Sequence, residues 1–273
     1  MSLVFPTPAI HILEIAGGEA SNEEQSERCT RGTVMRDEEK SKATMPPSLF
    51  SPFLSAKQTC PPLSGGEKKL IIACEIAFVA TLMLFLSFQN RGLFPTFLVV
   101  SALLWQQKKS WSTVGFARPT SWRRALGAGL GLCGIWFVLQ IFGLEPLVAI
   151  LIHQRPDVQA FSSLHGHPLN VVGSLLIAWT SSAFGEEMLF RGYLLNRFAD
   201  LFGRSYPGWT VSILAQAILF GSVHLYQGLA GALIIGVYGL GAGICYLGIR
   251  QNIWGGILAH GLTDSIAYLL MSV

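Results

Sequence analysis

The feature that most constrains this chain is a long, nearly uncharged apolar segment that follows Lys69. Residues 70–273 hold only 18 of the 35 Asp, Glu, Lys and Arg residues of the 273-residue chain. The whole chain is 51% hydrophobic and 13% charged, whereas a soluble domain carries about 25% charged residues. Apolar stretches of about 20 residues are typical of helices that cross a bilayer. The sequence therefore predicts an all-α membrane protein and argues against an ordinary water-soluble globule.

The apolar segment divides into about seven stretches that we interpret as transmembrane helices of one polytopic bundle. They cover residues 70–88, 93–105, 125–144, 171 to about 202, 209–224, 229–249 and 254–271. The second stretch is short, and a tilted span or part of a helical hairpin are both compatible with it. A basic loop at 108–124 carries Trp111 and Trp122, which we expect to act as interfacial anchors. A longer polar connection at 145–170 separates the third and fourth stretches.

Composition divides the chain into three regions. Residues 1–66 form a polar segment with Pro-Pro and Gly-Gly pairs, which is typical of a flexible, disordered tail. Residues 67–144 contain the first membrane helices and the basic loop, and residues 145–273 contain the core of the remaining apolar helices. The first residues lack the basic start of a secretory signal. A true start at a later methionine, such as Met45, remains open.

The distribution of Lys and Arg predicts the orientation of the chain, because cytoplasmic loops of membrane proteins are enriched in both. With a cytosolic N-terminus, the outer segments carry only Arg91 and Arg155. The inner segments carry the other lysines and arginines near the membrane: Lys68, Lys69, Lys108, Lys109, Arg118, Arg123, Arg124, Arg197, Arg204 and Arg250. We therefore predict a multi-pass protein whose N-terminus is cytosolic.

Several further features indicate structure rather than chemistry. The net charge is +3, and the chain has neither a basic stripe nor a zinc-finger spacing, so no nucleic-acid partner is expected. Five cysteines occur, none in a CxxC pair, and we interpret them as small apolar side chains. Six glycines crowd residues 228–243, where small side chains would let two membrane helices approach closely.

The sequence GEEMLFR places three ionisable side chains inside an apolar stretch, where charged groups are costly and are usually functional. On a helix, Glu187 and Arg191 share one face at i, i+4 and can pair. Glu186 points about 100° away from its neighbour. One acid is then held in an ion pair while the other stays free, and a free carboxyl in an apolar pocket suits a general base. The alternative is a solvated helix end with two exposed acids.

Two more motifs follow along the chain, each in a separate predicted helix. FGSVH places Phe220 and His224 at i, i+4, and HGLTD places His260 and Asp264 at i, i+4. Taken alone, His224 is typical of an interfacial or capping residue. Asp264 is expected to orient His260, or both side chains face one cavity; a hydrogen-bonded core pair without chemistry is the alternative.

Together, the order EExxxR, FxxxH and HxxxD on separate helices resembles the CPBP family of intramembrane endopeptidases. This family includes the type II CAAX prenyl proteases and bacterial proteins of the abortive-infection and bacteriocin-processing group. The resemblance covers about residues 171–265, and residues 114–130 also resemble the segment that precedes this core in bacterial members. No counterpart is found for residues 1–66.

The resemblance implies a role for each motif residue in hydrolysis of a peptide bond by a water-derived nucleophile. Glu186 would activate the water, while Glu187 and Arg191 would hold the helix and tune that acid. His224, with Phe220 in support, would position the water, and the third motif would stabilise the oxyanion. The implied substrate is a membrane-associated protein or peptide, with a prenylated CAAX tail as one candidate.

One residue departs from the family pattern. Asp264 stands where the prenyl-protein processing enzymes have Asn, and an ionised Asp cannot donate a hydrogen bond to an oxyanion. A protonated Asp264, an Asp264 that orients His260 and an Asp264 that ligates a metal all remain open. We expect no cofactor, although zinc held by Glu186, His224 and His260 is the alternative.

Two other classes of function compete with the protease. A non-catalytic membrane scaffold or bacteriocin-immunity factor could use the same fold, and it would tolerate loss of Glu186. A transporter could use the acids as proton carriers, but neither an inverted repeat nor paired broken helices are visible in the sequence.

Overall fold

The structure is a computed structural model and describes residues 64–89 and 93–273. The predicted flexible tail therefore lies outside the described residues up to position 63, as do Arg91, Cys29 and Cys60. Within the described part, every regular element is helical, so the predicted all-α class is confirmed. Seven helical rods follow one another: α1 Gly65–Phe88, α2 Phe94–Gln106, α3 Trp122–Ile152, α4 168–202, α5 Tyr206–Ser222, α6 Gly228–Gly248 and α7 Trp254–Ser272.

Three of these rods are long and apolar enough to cross a membrane by length and composition. They are α1, α3 and the helical stretch Leu225–Gly248 that contains α6; α2 is a shorter apolar helix. The expectation of an integral membrane protein is therefore confirmed, and the count of seven transmembrane helices is confirmed only in part.

Two predicted helix boundaries are wrong. Helix α1 begins five residues earlier than expected, because Ser64 and Glu67 form a capping box in which each side chain accepts from the other residue's backbone N–H. Helix α3 continues past residue 144 through a wide π-type turn, Gln140–Leu144, to Ile152. Pro146 lies in the first turn of the α-helical segment that follows this wide turn. The polar connection therefore shrinks to residues 153–167.

Helix α4 is the central element of the bundle. Residues 187–197 are all buried, as expected for a helix that other helices surround on every side. Two π-type stretches, Ala178–Glu186 and Met188–Leu194, flank Glu187. Such wide turns are rare and often occur at functional sites, and here they fall on the motif that carries the paired acids.

Small residues bring α5 and α6 into close contact, which confirms the packing role predicted for the glycine-rich stretch. A Cβ atom on Gly221 would lie 2.5 Å from the Ala232 carbonyl oxygen and 3.1 Å from the Gly236 Cα. A Cβ atom on Gly239 would lie 3.1 Å from the Ala217 Cα. Larger side chains at these positions would separate the two helices and move the end of α5, which carries the second motif.

A buried polar network fixes α1 against α4. The carboxylate of Glu75 accepts hydrogen bonds from Arg197 Nη2 at 2.6 Å, from Gln107 Nε2 at 2.9 Å and from the Tyr193 hydroxyl. Arg197 also donates to Asp200 at 3.2 Å. Since Glu75 is the single acid of α1 beyond its first turn, this network sets how α1 packs on the central helix.

Candidate active site

The connection between α4 and α5 brings the first two motifs to the same depth. Counted from that connection, Glu186 lies 16 residues before Phe202, and His224 lies 18 residues after Tyr206. Each residue advances a helix by about 1.5 Å, so the two side chains reach similar levels of the bundle.

The second acid of the motif forms a fully buried ion pair. Arg191 Nη1 donates to Glu187 Oε1 at 2.8 Å, and both side chains are at most 1% exposed. The guanidinium also lies over the Phe220 ring, with Cζ 4.3 Å from the ring centroid, which adds a cation–π contact. The Glu187–Arg191 pair thus joins two turns of α4, and its guanidinium also contacts α5.

The first acid faces two histidines from two other helices. Glu186 Oε2 lies 4.0 Å from His224 Nε2 and 4.0 Å from His260 Nε2. These separations are too long for direct hydrogen bonds, and this buried oxygen has no partner among the described residues. Glu186 is therefore a carboxyl without an ion pair to Lys or Arg in the described part of the chain, unlike its neighbour.

His260 lies among all three acids. Its Nδ1 lies 3.2 Å from Glu187 Oε1, and its Nε2 lies 3.7 Å from Asp264 Oδ2 as well as 4.0 Å from Glu186. A carboxylate only accepts, so Nδ1 is the donor to Glu187 when that acid is paired with Arg191. This contact orients the ring and points Nε2 at the other two acids.

The backbone orients His224. Its Nδ1 lies 2.8 Å from the carbonyl oxygen of Phe220, and a carbonyl oxygen only accepts, so Nδ1 carries the hydrogen. The neutral imidazole then has its acceptor at Nε2, the nitrogen that faces Glu186. Phe220 also contacts the ring directly, with centroids 4.9 Å apart.

These groups line one cavity of about 320 Å³. Glu186, His224, His260, Asp264 and Phe220 all contribute to its wall, whereas Glu187 and Arg191 lie behind it. The connection 153–167 covers one side, and it is held by hydrogen bonds from Asp157 N to Gln227 O and from Gly166 N to Ser272 O. The structure thus brings the three motifs together from α4, from the end of α5 and from α7.

The cavity also contains side chains that the motifs did not indicate. They are Arg155, Ser182, Tyr226, Tyr238, Thr263 and Tyr268. Tyr238 lies in the glycine-rich stretch, which sequence reasoning assigned to packing alone. A tyrosine between glycines in an apolar helix is the signal that could have singled it out, because its hydroxyl needs a partner when it is buried.

The buried carboxylate of Glu187 requires a glycine at position 256. A Cβ atom on Gly256 of α7 would lie 2.5 Å from Glu187 Oε2 and 3.0 Å from its Cδ. The WGG sequence at the start of α7 therefore leaves the space that the buried carboxylate occupies.

Among residues 64–89 and 93–273, no three His, Cys, Asp or Glu side chains are grouped in a way that could hold a metal ion. Of the alternative zinc ligands, Glu186 Oε2 lies 4.0 Å from His224 Nε2 and 4.0 Å from His260 Nε2. Independence from metals stays a prediction.

The fold and the site together define an all-helical membrane protein in which one acid of an adjacent pair and two histidines line a cavity. Within that class, the family described as type II CAAX prenyl endopeptidase Rce1-like has a model that matches residues 168–266. The matched segment contains all three motifs, and the predicted resemblance to the CPBP family is confirmed over this segment. The match indicates a protease. No curated protein and no solved structure matches the chain.

Proposed function

We propose that this protein is an intramembrane endopeptidase in which Glu186 activates a water molecule to hydrolyse a peptide bond. The observation that carries the proposal is the position of Glu186 Oε2, 4.0 Å from Nε2 of each of two histidines. A separation of this size between polar groups suits a bridging water. With hydrogen bonds of about 2.8 Å, such a water can contact both Glu186 and His224, or both Glu186 and His260.

The hydrogen-bond pattern supports the direction of proton transfer. Glu186 and neutral His224 both accept, so a water between them donates one hydrogen to each and turns a lone pair toward the cavity. Attack on the substrate carbonyl forms a carbon–oxygen bond while Glu186 takes the proton of the water. Glu186 then returns this proton to the leaving amine, which completes hydrolysis without a covalent enzyme intermediate.

Glu187 and Arg191 position the reacting groups in this proposal and do not touch the substrate. Their ion pair is closed to water, and Glu187 holds the His260 ring through Nδ1. Asp264 faces the same ring from one turn further along α7. His260 and Asp264 thus form the wall on which the scissile carbonyl lies.

The substrate class follows from the family match together with the location of the site. The type II CAAX prenyl endopeptidase description supports a membrane-associated protein or peptide, with a prenylated C-terminal CAAX sequence as the specific candidate. A suitable probe is an internally quenched peptide that ends in a farnesylated CAAX sequence, added to the purified protein in lipid vesicles. The same peptide without the farnesyl group tests whether the lipid is required.

Hydroxylamine separates the proposed mechanism from one with an acyl-enzyme. We expect only the carboxylate product in its presence, because the nucleophile is water and no ester or thioester forms on the protein. A hydroxamate at the cleaved end would show a covalent intermediate and contradict the proposal. Absence of cleavage of both peptides would instead favour the non-catalytic scaffold.

The same assay tests the role of metals. We expect 1,10-phenanthroline and EDTA to leave the rate unchanged, because the described side chains offer no grouping for a metal ion. Loss of activity that added zinc restores would contradict this prediction. A zinc-dependent peptidase assayed in parallel serves as the control that the chelators are effective.

A further inference from the structure

The departure of Asp264 from the family pattern leaves the oxyanion without the amide donor that an asparagine would provide. Developing negative charge on the substrate carbonyl needs a hydrogen-bond donor that is already in place. An ionised Asp264 only accepts. Stabilisation of the oxyanion therefore requires another donor on the cavity wall that no other group of the protein uses.

Tyr238 has these properties. It lies on α6, is 4% exposed and lines the same cavity as Glu186 and His260. Its hydroxyl is buried and has no hydrogen-bond partner among the described residues. Buried polar groups are nearly always paired, so an unpaired hydroxyl at a reaction cavity points to a partner that arrives with the substrate.

The neighbours of Tyr238 place it at the reacting groups. Its ring lies edge-on to the imidazole of His260, with centroids 5.5 Å apart, and 5.1 Å from the ring of Trp136. The Arg191 guanidinium carbon lies 5.9 Å from its centroid. These aromatic neighbours pack against the Tyr238 ring, which favours a donor that is positioned before the substrate binds.

Building on the hydrolysis proposed above, we infer that the Tyr238 hydroxyl donates a hydrogen bond to the carbonyl oxygen of the scissile bond and stabilises the oxyanion. Tyr238 is thus a further catalytic residue, contributed by a helix that carries none of the three motifs. During attack by water, the carbonyl π electrons move onto this oxygen, and the tyrosine keeps its proton. When the carbon–nitrogen bond breaks, the electrons return and the hydrogen bond weakens.

The test compares Tyr238→Phe with Tyr246→Phe, a matched change two turns further along the same helix. Tyr246 is buried too, but its hydroxyl contacts Asn196 Nδ2 at 2.7 Å and the Val114 carbonyl oxygen at 3.3 Å. We expect Y238F to lower kcat by about 100-fold with little change in KM or in the thermal midpoint. We expect Y246F to lower the thermal midpoint and to keep kcat near the wild-type value.

A second substitution tests the chemistry of the donor. We expect Asp264→Asn in the Y238F background to recover part of kcat, because the new amide can donate from the neighbouring wall. Wild-type kcat in Y238F, together with an inactive E186Q, would overturn the role of Tyr238 and leave the proposed hydrolysis standing. A lower thermal midpoint in Y238F that accounts for the lost activity would also overturn it. Full activity in E186Q would overturn the proposed hydrolysis itself.

Discussion

Replacing Glu186 by Gln is expected to lower kcat for the farnesylated peptide by about 10³-fold, because the amide cannot take a proton from water. Glu186 has no ion pair to Lys or Arg, and its Oε2 accepts no hydrogen bond in the described part of the chain. The nearly isosteric amide therefore disturbs few contacts. We expect the thermal midpoint of the purified variant in detergent to stay at or above the wild-type value.

The matched control is Glu67→Gln, which changes an exposed acid in the capping box at the start of α1. This variant should keep the wild-type rate, since the change lies far along the chain from all three motifs. Steady-state cleavage of the quenched peptide measures both variants at equal protein concentration. Wild-type turnover by E186Q would remove Glu186 from the mechanism and contradict the proposed hydrolysis.

Truncation of Arg191 is expected to have the largest effect on stability. Arg191→Ala leaves Glu187 as an uncompensated charge at 0% exposure, and breaking a buried pair in this way costs about 3–5 kcal/mol. For a chain of this size, that loss corresponds to a fall of about 10 °C in the thermal midpoint. The cation–π contact with Phe220 is lost as well, which loosens the contact between α4 and α5.

A double variant separates the loss of stability caused by the unpaired Glu187 carboxylate from the loss of catalysis. In Glu187→Met with Arg191→Met, both charges are replaced by apolar side chains, which is often neutral or stabilising. We expect its thermal midpoint to return toward the wild-type value while activity stays low, because His260 has lost the carboxylate that orients its Nδ1. Recovery of both properties would show that the pair has no role in positioning His260.

The three motifs illustrate how far spacing along a helix can be interpreted. The i, i+4 relation of Glu187 and Arg191 predicts contact, because it depends only on helical geometry, and the structure shows such a pair. The same reasoning predicts that His260 and Asp264 share a face. Helical spacing does not predict the contacts of Glu75, whose partners Arg197 and Tyr193 lie more than 100 residues away along the chain. Such contacts depend on which helices are neighbours.

Helix ends were the weakest part of the sequence interpretation. The sequence predicts that the third helix stops at residue 144, because a more polar connection begins at Glu145. The structure continues it through a wide turn, in which Gln140 Nε2 donates to Glu145 Oε1 at 2.8 Å. The low helix propensity of proline disfavours a continuous helix here. The wide turn before Pro146 and the hydrogen bond between Gln140 and Glu145 accompany the continuation.

The amino-acid sequence alone determined that this chain is helical, that it enters a membrane and that its reactive groups lie in three ordered motifs. These properties follow from composition and from the period of the α-helix. Only the tertiary structure decided that Glu186 Oε2 lies 4.0 Å from Nε2 of both His224 and His260 and that Tyr238 lines the same cavity. Those features depend on the short connection between α4 and α5 and on the glycines that let α5 and α6 touch, because depth and neighbourhood are set by how the helices pack against one another.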